Sequence, residues 1–400
     1  MTRYNFDKIT NRKGTNCLKY DFAVERGKPA DVLPLWVADM DFPVSEEITK
    51  SLHAAVEHGI YGYTQPKDAY YNAVMNWMER NHNWKTEREW IVKTPGVVFA
   101  LGAAVKAFTD PGDAILIQNP VYYPFTNIIR DNDRRVVDNT LIYEKTAGQS
   151  GDNGYRIDFE DFERKLEQEH IKLFILCNPH NPVGRVWTAE ELQKLGEICL
   201  RHHVIVVSDE IHNDFVYPGY EHTVFATVDP RFAEFTVTCT APSKTFNLAG
   251  LQISNIFIPN EKLRKAFQTE IDKTGYDEPN ALGIVACEAA YRAGEDWLDQ
   301  LRAYLLKNLN FLRNFLQEKI PQIHLVEPEG TYLVWLDCSE LGITGKELDQ
   351  FIVDKAGLWL DGGSMFGPSG AAFQRVNIAC PRATLQLALD KLKTAIDGLK

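Results

Sequence analysis

The residue with the clearest chemical potential in this chain is Lys244, which directly follows Ser243 and a run of β-branched residues. A lysine just past the end of a strand contributes little to packing. Its amine is instead well placed to form an imine with an aldehyde cofactor. Most lysines are solvated surface residues, so the alternative is that Lys244 is one of these, and the other motifs are needed to choose between the two.

A second motif combines a glycine with the beginning of a predicted helix. Gly96 precedes Val97 and Val98 within the segment 93–101. A glycine here leaves backbone amides free to point at an anion, and the positive end of the helix dipole attracts negative charge. The segment therefore predicts a phosphate cradle, with a simple turn as the alternative.

Two polar motifs follow predicted buried strands. The loop 178–184 contains two Asn-Pro steps and a glycine, and its rigidity could hold the Asn181 amide against a ring substituent, with a structural turn as the alternative. Asp209 follows the wholly apolar strand 204–207, where a partly buried carboxylate needs a cationic partner. A protonated pyridine nitrogen is such a partner, and an N-cap role is the alternative.

The elements that must position these motifs alternate between strands and helices, which predicts an α/β fold. The predicted strands cover 113–117, 172–177, 204–207, 235–239 and 331–336, and the predicted helices cover 160–170, 188–202, 298–318, 346–355 and the residues after 382. Thr188 and Glu191 form a capping-box pattern. Ligands of open parallel sheets bind at the carboxyl ends of the strands, so these motifs are expected to meet at one site.

Composition limits the classes of partner. The net charge of −12 and the pI near 5.4 give no electrostatic attraction to nucleic acid or to an anionic membrane. The seven cysteines include no C-x-x-C pair, which predicts reduced thiols rather than a disulfide framework or a metal site. Residues 1–8 lack an apolar signal core, and no apolar run approaches the roughly 18 residues of a membrane span. We therefore expect a cytoplasmic protein.

The length and the order of the elements predict three parts. An N-terminal arm covers 1–47, a large sheet domain covers 48–290, and a smaller α+β domain covers 291–400. We expect the arm to join the small domain in space.

Several further motifs carry a resemblance to a known family. They are the segments 35–42, 61–63, 178–184, 208–212, 243–250 and 375–379. Nearly end to end, the chain resembles the fold type I pyridoxal phosphate (PLP) enzymes of the class I/II aminotransferase superfamily, and within it the branch of cystathionine β-lyases and cysteine-S-conjugate β-lyases. The resemblance implies a PLP-dependent transferase-like α/β fold, with a mostly parallel seven-stranded sheet flanked by helices and a smaller α+β domain.

The resemblance also implies roles around the PLP ring. Lys244 carries the Schiff base, Asp209 pairs with the pyridine nitrogen, and Asn181 bonds the ring hydroxyl. Tyr122 stacks on the ring face, with a place in the core as its alternative. His212 stands where typical aminotransferases have a tyrosine that contacts the ring hydroxyl, and the lyase branch shares this histidine.

Other implied roles concern the phosphate and the substrate. Val97 and Val98 give backbone amides to the phosphate, and the Ser243 hydroxyl assists them. Tyr61 reaches the phosphate of the neighbouring subunit, which implies a homodimer with shared active sites. Arg375 holds the substrate α-carboxylate through its planar fork, with a surface ion pair as the alternative.

The activity implied by the resemblance is β-elimination from a sulfur amino acid. L-Cystathionine or a cysteine S-conjugate yields a thiol, pyruvate and ammonia, and Lys244 takes the Cα proton. Two alternatives stay open at the level of the sequence. One is an aminotransferase, which shares the steps up to proton removal. The other is a PLP-binding regulatory protein that acts through its surface. His180, in the loop beside Asn181, is interpreted as a filler of that loop rather than a catalyst.

Overall fold

A computed structural model of the chain describes residues 4–145 and 153–399. Residues 1–3 of the predicted arm, 146–152 of the predicted large domain and Lys400 of the predicted small domain lie outside the described residues. The strands are β1 (Leu33–Pro34), β2 (Ile91–Thr94), β3 (Ala114–Ile117), β4 (Arg135–Asp138), β5 (Ile142–Tyr143), β6 (Tyr155–Arg156), β7 (Ile171–Cys177), β8 (Ile205–Asp209), β9 (Thr236–Thr240), β10 (Ser254–Phe257), β11 (His324–Leu325), β12 (Leu333–Asp337), β13 (Leu358–Trp359), β14 (Asp361–Gly362) and β15 (Phe373–Asn377).

The α-helices fall between these strands and at both ends of the chain. They are α1 (Leu18–Asp21), α2 (Glu46–His58), α3 (Asp68–His82), α4 (Val97–Phe108), α5 (Pro124–Asp131), α6 (Phe159–Glu169), α7 (Ala189–Arg201), α8 (Pro242–Thr245), α9 (Glu261–Asp272), α10 (Ala281–Ala293), α11 (Glu295–Lys319), α12 (Gly345–Asp354) and α13 (Arg382–Asp397). None of these helices is long and apolar enough to cross a membrane.

The main sheet has seven strands in the order β2-β10-β9-β8-β7-β3-β4. Strand β10 is antiparallel to both of its neighbours, and the other strand pairs are parallel. The central strands are apolar and buried, because helices cover both faces of the sheet. The predicted α/β fold with a mostly parallel seven-stranded sheet is confirmed.

Local sequence signals begin some of these helices as predicted. Thr188 Oγ1 accepts a hydrogen bond of 3.2 Å from the Glu191 amide, and Glu191 Oε2 accepts one of 2.9 Å from the Thr188 amide. This reciprocal pair satisfies two backbone donors at the beginning of α7 and is the capping box that the sequence indicates.

The C-terminal part of the chain builds a second sheet, with the order β11-β12-β15-β14 and antiparallel pairs throughout. Strand β1 pairs in parallel with β13, so Leu33 lies opposite Leu358. The indole rings of Trp36 and Trp359 stack with centroids 4.2 Å apart. These contacts support the expected association of the arm with the small domain, while the boundaries of the three parts stay predictions.

Candidate active site

A cavity of about 180 Å³ opens at the carboxyl ends of the parallel strands of the main sheet. Predicted site residues that line it are Val97, Val98, Tyr122, Asn181, Asp209, His212, Ser243 and Lys244. They come from the segments that follow β2, β3, β7, β8 and β9, or from the ends of these strands. The remaining lining residues are mostly small or apolar: Ala38, Pro95, Gly96, Cys177, Ile211, Ala249 and Ile253.

Lys244 lies in the one-turn helix α8, four residues after β9 ends at Thr240. Its Nζ donates a hydrogen bond of 3.1 Å to the carbonyl oxygen of Ala38. The pKa of Lys244 is lowered to about 8, first by burial and then by the nearby Arg375 guanidinium, although the Asp39 and Asp209 carboxylates oppose this shift. With this pKa a fraction of the amine is neutral near physiological pH, and the neutral form is the one that acts as a nucleophile or accepts a proton.

Asp209 is the last residue of β8, rather than lying beyond the strand as the apolar run 204–207 had indicated. Its neighbours across the sheet are Cys177 on β7 and Cys239 on β9. The carboxylate accepts a hydrogen bond of 3.2 Å from the Ile211 amide, and burial raises the pKa of Asp209 to about 7. A buried carboxylate with little hydrogen bonding favours a cationic partner in the cavity.

The beginning of α4, where the sequence predicts a phosphate cradle, lines the cavity with Gly96, Val97 and Val98. Gly96 has φ of 177°, which is extended backbone that any residue adopts. A Cβ placed on Gly96 would meet no atom within 4 Å, and the residue lines the cavity. The missing side chain therefore keeps space open in front of Val97 and Val98, whose amides have no acceptor within the helix.

Three residues predicted to contact a ring surround the middle of the cavity. The side-chain oxygen Oδ1 of Asn181 accepts a hydrogen bond of 2.9 Å from Arg375 Nη1, so the side-chain nitrogen Nδ2 is available to a ligand. His212 Nδ1 is buried without a partner in the described residues, and burial lowers the pKa of His212 well below its usual value. A neutral imidazole with an unused ring nitrogen suits a contact to a polar ring substituent. Tyr122, whose pKa burial raises, supplies an apolar ring face.

Arg375 lies beside the cavity and is only 3% exposed, so its alternative as a surface ion pair is wrong. Besides Asn181, its guanidinium donates to the Trp36 carbonyl at 3.1 Å and pairs with Asp361. The ring of Phe366 lies 4.9 Å from the guanidinium carbon. These contacts fix the plane of the fork next to the cavity, where it can receive a carboxylate.

Tyr61 lies outside the cavity of its own chain. Its side chain is exposed, and its hydroxyl donates a hydrogen bond of 3.2 Å to the Val56 carbonyl. Ile60 and Tyr63 are exposed as well. The predicted contact of Tyr61 with a neighbouring subunit therefore stays a prediction.

His180 is buried in the loop beside Asn181, as a filler of that loop should be. Its Nε2 lies 2.9 Å from the Pro120 carbonyl oxygen, and its ring packs edge-on against Trp187. Burial lowers the pKa of His180 to about 4. The residue does not line the cavity.

Sequence reasoning missed the contribution of the arm to the site. The Ala38 carbonyl accepts hydrogen bonds from Lys244 and, at 3.0 Å, from the Tyr332 hydroxyl. Asn377 donates to the carbonyls of Val37 and Asp39 at 2.6 and 2.7 Å. The sequence predicts a motif at 35–42, but residue types alone cannot indicate that its backbone carbonyls, rather than its side chains, contact the site.

The aspartates of the same segment form ion pairs with residues nearer the N-terminus of the chain. Arg12 bridges Asp39 and Asp41 through its two terminal nitrogens, and the buried Lys19 reaches Asp41 at 3.1 Å. Tyr20 adds a hydrogen bond of 3.0 Å to the Asp41 carboxylate. This network fixes the arm beside Lys244 and explains the two aspartates of the motif structurally.

The cavity thus holds donors for an anion, a carboxylate for a cation and an amine, which is the set that PLP requires. Two features fit PLP: the ring nitrogen Nδ1 of His212, which has no partner in the described residues, and the open space beside Gly96 before α4. Val97, Val98 and Ser243 would hold the phosphate, while Asp209 would hold the ring nitrogen.

Comparison with known proteins supports this interpretation. Residues 30–392 match the family model of aminotransferase class I and II. The chain is 46% identical to cystathionine beta-lyase PatB of Bacillus subtilis, over 98% of this chain and 100% of that protein. It is 31% identical to Protein MalY of Escherichia coli, over 99% of this chain and 100% of that protein.

Solved structures give the same result. Cystalysin from Treponema denticola, whose crystal structure contains a PLP cofactor, matches with a TM-score of 0.94 and 38% identity, covering 99% of this chain and 100% of that chain. The PLP-bound C-S lyase from Staphylococcus hominis matches with a TM-score of 0.91 and 35% identity, covering 98% of both chains. The family model and the relatives span nearly the whole chain, and the chain belongs to the aminotransferase class I and II family.

Proposed function

We propose that the protein is a PLP-dependent carbon-sulfur β-lyase that converts L-cystathionine or cysteine S-conjugates to a thiol, pyruvate and ammonia. The observation that carries this proposal is the meeting of Lys244, Asp209 and the beginning of α4 in one cavity beside Arg375. Two similar proteins carry the name of a lyase: cystathionine beta-lyase PatB of Bacillus subtilis and the C-S lyase from Staphylococcus hominis.

When bound, PLP supplies an aldehyde for the substrate amine and a ring that accepts the electron pair released at Cα. Asp209, buried and without a cationic side chain in hydrogen-bonding contact in the described residues, keeps the ring nitrogen protonated by its charge. Val97 and Val98 hold the phosphate through backbone amides, and Ser243 adds its hydroxyl. Tyr122 would cover one face of the ring, and Asn181 and His212 would contact its hydroxyl group.

Arg375 orients the substrate by its α-carboxylate. Hydrogen bonds to Asn181, Trp36 and Asp361 occupy three of its five N–H groups, and Nε has no partner in the described residues. The guanidinium therefore has donors left for a carboxylate. This contact places Cα next to the Lys244 amine.

Lys244 removes the Cα proton at Nζ. Because burial lowers its pKa to about 8, a useful fraction of the amine is neutral at physiological pH and accepts a proton. The Ala38 carbonyl, 3.1 Å away, is an acceptor that holds the amine at the edge of the cavity before and after the transfer. The electron pair left at Cα then forms the Cα–Cβ double bond as the Cβ–S bond breaks, and the sulfur leaves as a thiolate.

An aminotransferase shares proton removal at Cα but requires a keto acid to regenerate the cofactor. The two reactions separate in an assay of purified protein with L-cystathionine and a panel of cysteine S-conjugates. A lyase releases thiol and pyruvate from them in the absence of any keto acid. Keto-acid dependence without thiol release would identify an aminotransferase, and retention of the physiological role by Lys244→Ala protein would identify a regulatory protein.

A homodimer with shared active sites completes the proposal. Its support is the exposed apolar segment that contains Ile60, Tyr61 and Tyr63, since such residues are seldom left in water together. Co-expression of Tyr61→Ala and Lys244→Ala chains tests the sharing. If Tyr61 acts in the partner's site, mixed dimers regain one intact site and about a quarter of the wild-type activity. No regain of activity would show that Tyr61 acts in the active site of its own chain. Full activity of Tyr61→Ala chains alone would show that Tyr61 acts in neither site.

The proposed location is the cytoplasm. Support comes from the cysteines, which are all free and mostly buried. A chain with this many unpaired thiols is suited to a reducing compartment. Fractionation of the native host would test it, with recovery of the protein outside the cytoplasm as the contrary result.

A further inference from the structure

The substrate-binding arginine shares its guanidinium with a second buried group. Asp361 on β14 lies directly opposite Arg375 on β15 in the small sheet, and one carboxylate oxygen pairs with Arg375 Nη2. Both residues are 3% exposed. The pair is therefore desolvated, so the charge on either residue acts strongly on the other.

The contacts of Arg375 divide its guanidinium into a fixed part and a free part. Asp361 and the Trp36 carbonyl take the two N–H groups of Nη2, and Asn181 takes one of Nη1. The Nε–H group and the second N–H of Nη1 have no partner in the described residues. Asp361 thus occupies one N–H group that a substrate carboxylate would otherwise compete for.

A second carboxylate, that of Asp349, lies near Asp361 and adds negative charge to its surroundings. Burial raises the pKa of Asp361, and the Asp349 carboxylate nearby raises it further, while Arg375 lowers it. Asp349 packs against Gly362, next to Asp361 in the chain. A carboxylate that approaches Arg375 from the cavity therefore meets a guanidinium whose charge is already largely offset.

We propose that Asp361 is a positioning residue that sets how strongly Arg375 holds the substrate α-carboxylate, by fixing one nitrogen of the guanidinium and offsetting its charge. This inference rests on the proposed function, in which Arg375 binds that carboxylate. It predicts that a neutral isostere keeps the fork in place, because Asn181 and the Trp36 carbonyl still hold it, and strengthens its attraction for the substrate.

The test compares holoenzyme carrying Asp361→Asn with wild type, on a cysteine S-conjugate and on the same compound with its α-carboxylate converted to the amide. The ratio of kcat/KM for the acid to that for the amide is expected to rise about tenfold in Asp361→Asn, through a lower KM for the acid. A structural defect would lower both values together and leave the ratio unchanged. Asp354→Asn, an exposed carboxylate at the end of α12, is the matched control with an unchanged ratio.

A binding measurement accompanies the kinetics. Propionate, a carboxylate that cannot react, should raise the Tm of Asp361→Asn more than that of wild type, because it supplies the missing negative charge. Asp361→Ser, which also removes the charge, is the second variant should the asparagine protein fail to fold. An acid-to-amide ratio and a propionate shift that equal those of wild type, or fall below them, would overturn the inference.

The Arg375→Ala variant distinguishes a failure of the proposed role of Asp361 from a failure of the proposed function. A large rise in KM for the acid in Arg375→Ala, with wild-type behaviour of Asp361→Asn, removes the role of Asp361 and leaves the proposed function standing. An unchanged KM in Arg375→Ala would instead remove the assignment of Arg375 itself.

Discussion

The amine of Lys244 donates a hydrogen bond of 3.1 Å to the carbonyl oxygen of Ala38, a residue 206 positions away in the chain. The Tyr332 hydroxyl donates to the same oxygen at 3.0 Å. The arm, the short helix after β9 and the residue that precedes β12 therefore meet at one atom. The position of the proposed base depends on all three.

Tyr332→Phe is expected to lower kcat by roughly tenfold with little change in KM, because the Ala38 carbonyl loses one of the two groups that hold it next to Lys244. A loss of about 1 kcal/mol in the free energy of unfolding should accompany it. Steady-state kinetics and urea unfolding measure the two effects. Tyr217→Phe is the control, since the Tyr217 hydroxyl is buried without a partner in the described residues. Equal effects of the two substitutions would contradict the role of Tyr332.

Asn377→Ala is expected to destabilise the protein by about 1–3 kcal/mol, because two partly buried carbonyls, those of Val37 and Asp39, each lose a hydrogen-bond donor. Its kcat should fall as well, since Ala38 lies between them. Urea unfolding followed by circular dichroism measures the stability. Asn310→Ala, on an exposed face of α11, should change it by less than about 0.5 kcal/mol. A loss as small as that of the control would show that the arm is held by other contacts.

The pH dependence of kcat should follow the Lys244 amine. Only the neutral amine accepts a proton, and burial lowers the pKa of Lys244 to about 8. The neutral fraction therefore rises from about one tenth at pH 7 to about nine tenths at pH 9, and kcat should rise by roughly the same factor. Rates with saturating substrate across this interval measure it. A kcat that is constant from pH 7 to pH 9 would contradict Lys244 as the base.

Asp209→Asn should have opposite effects on activity and on the stability of the cofactor-free protein. Burial raises the pKa of Asp209 from its unfolded value of 3.8 to about 7. The folded state holds a proton there that the unfolded state has lost, so the residue opposes folding increasingly from pH 4 to pH 7, and fully above pH 7. The asparagine removes this penalty, and the Tm of the cofactor-free variant should exceed that of wild type at pH 8 but not near pH 4.

The holoenzyme with Asp209→Asn should lose about 100-fold or more in kcat, since the ring nitrogen loses its anion. Thermal unfolding at the two pH values and steady-state kinetics measure the two effects. Asp354→Asn, on the surface, should change neither. A lower Tm for the cofactor-free Asp209→Asn protein at pH 8 would show that the carboxylate is stabilised within the protein itself.

Much of the site was predictable because its signals are local. The Ser243–Lys244 pair and the loop around Asn181 are each encoded in a few adjacent residues, and the parallel sheet brings such segments to one edge. The position of Asp209 was less well predicted. The polar residues that end β8 are paired in the sheet although their composition is typical of a loop.

Groups that depend on long-range register could not be predicted. Asp361 belongs to the two-residue strand β14, and only its pairing with β15 reveals it as the partner of Arg375. The Ala38 carbonyl and the Tyr332 hydroxyl meet across almost 300 residues of sequence. The antiparallel strand β10 within a parallel sheet has no local signal either, because strand direction is set by the connections between elements.

The most direct test of the central claim is the stoichiometry of products from L-cystathionine with purified holoenzyme and no added keto acid. The account predicts free thiol and pyruvate in a ratio of about one to one, continuing over many turnovers, because elimination returns the cofactor to its starting state. Product formation that stops at about one equivalent per active site, and resumes only when a keto acid is added, would contradict the account and assign the protein to transamination.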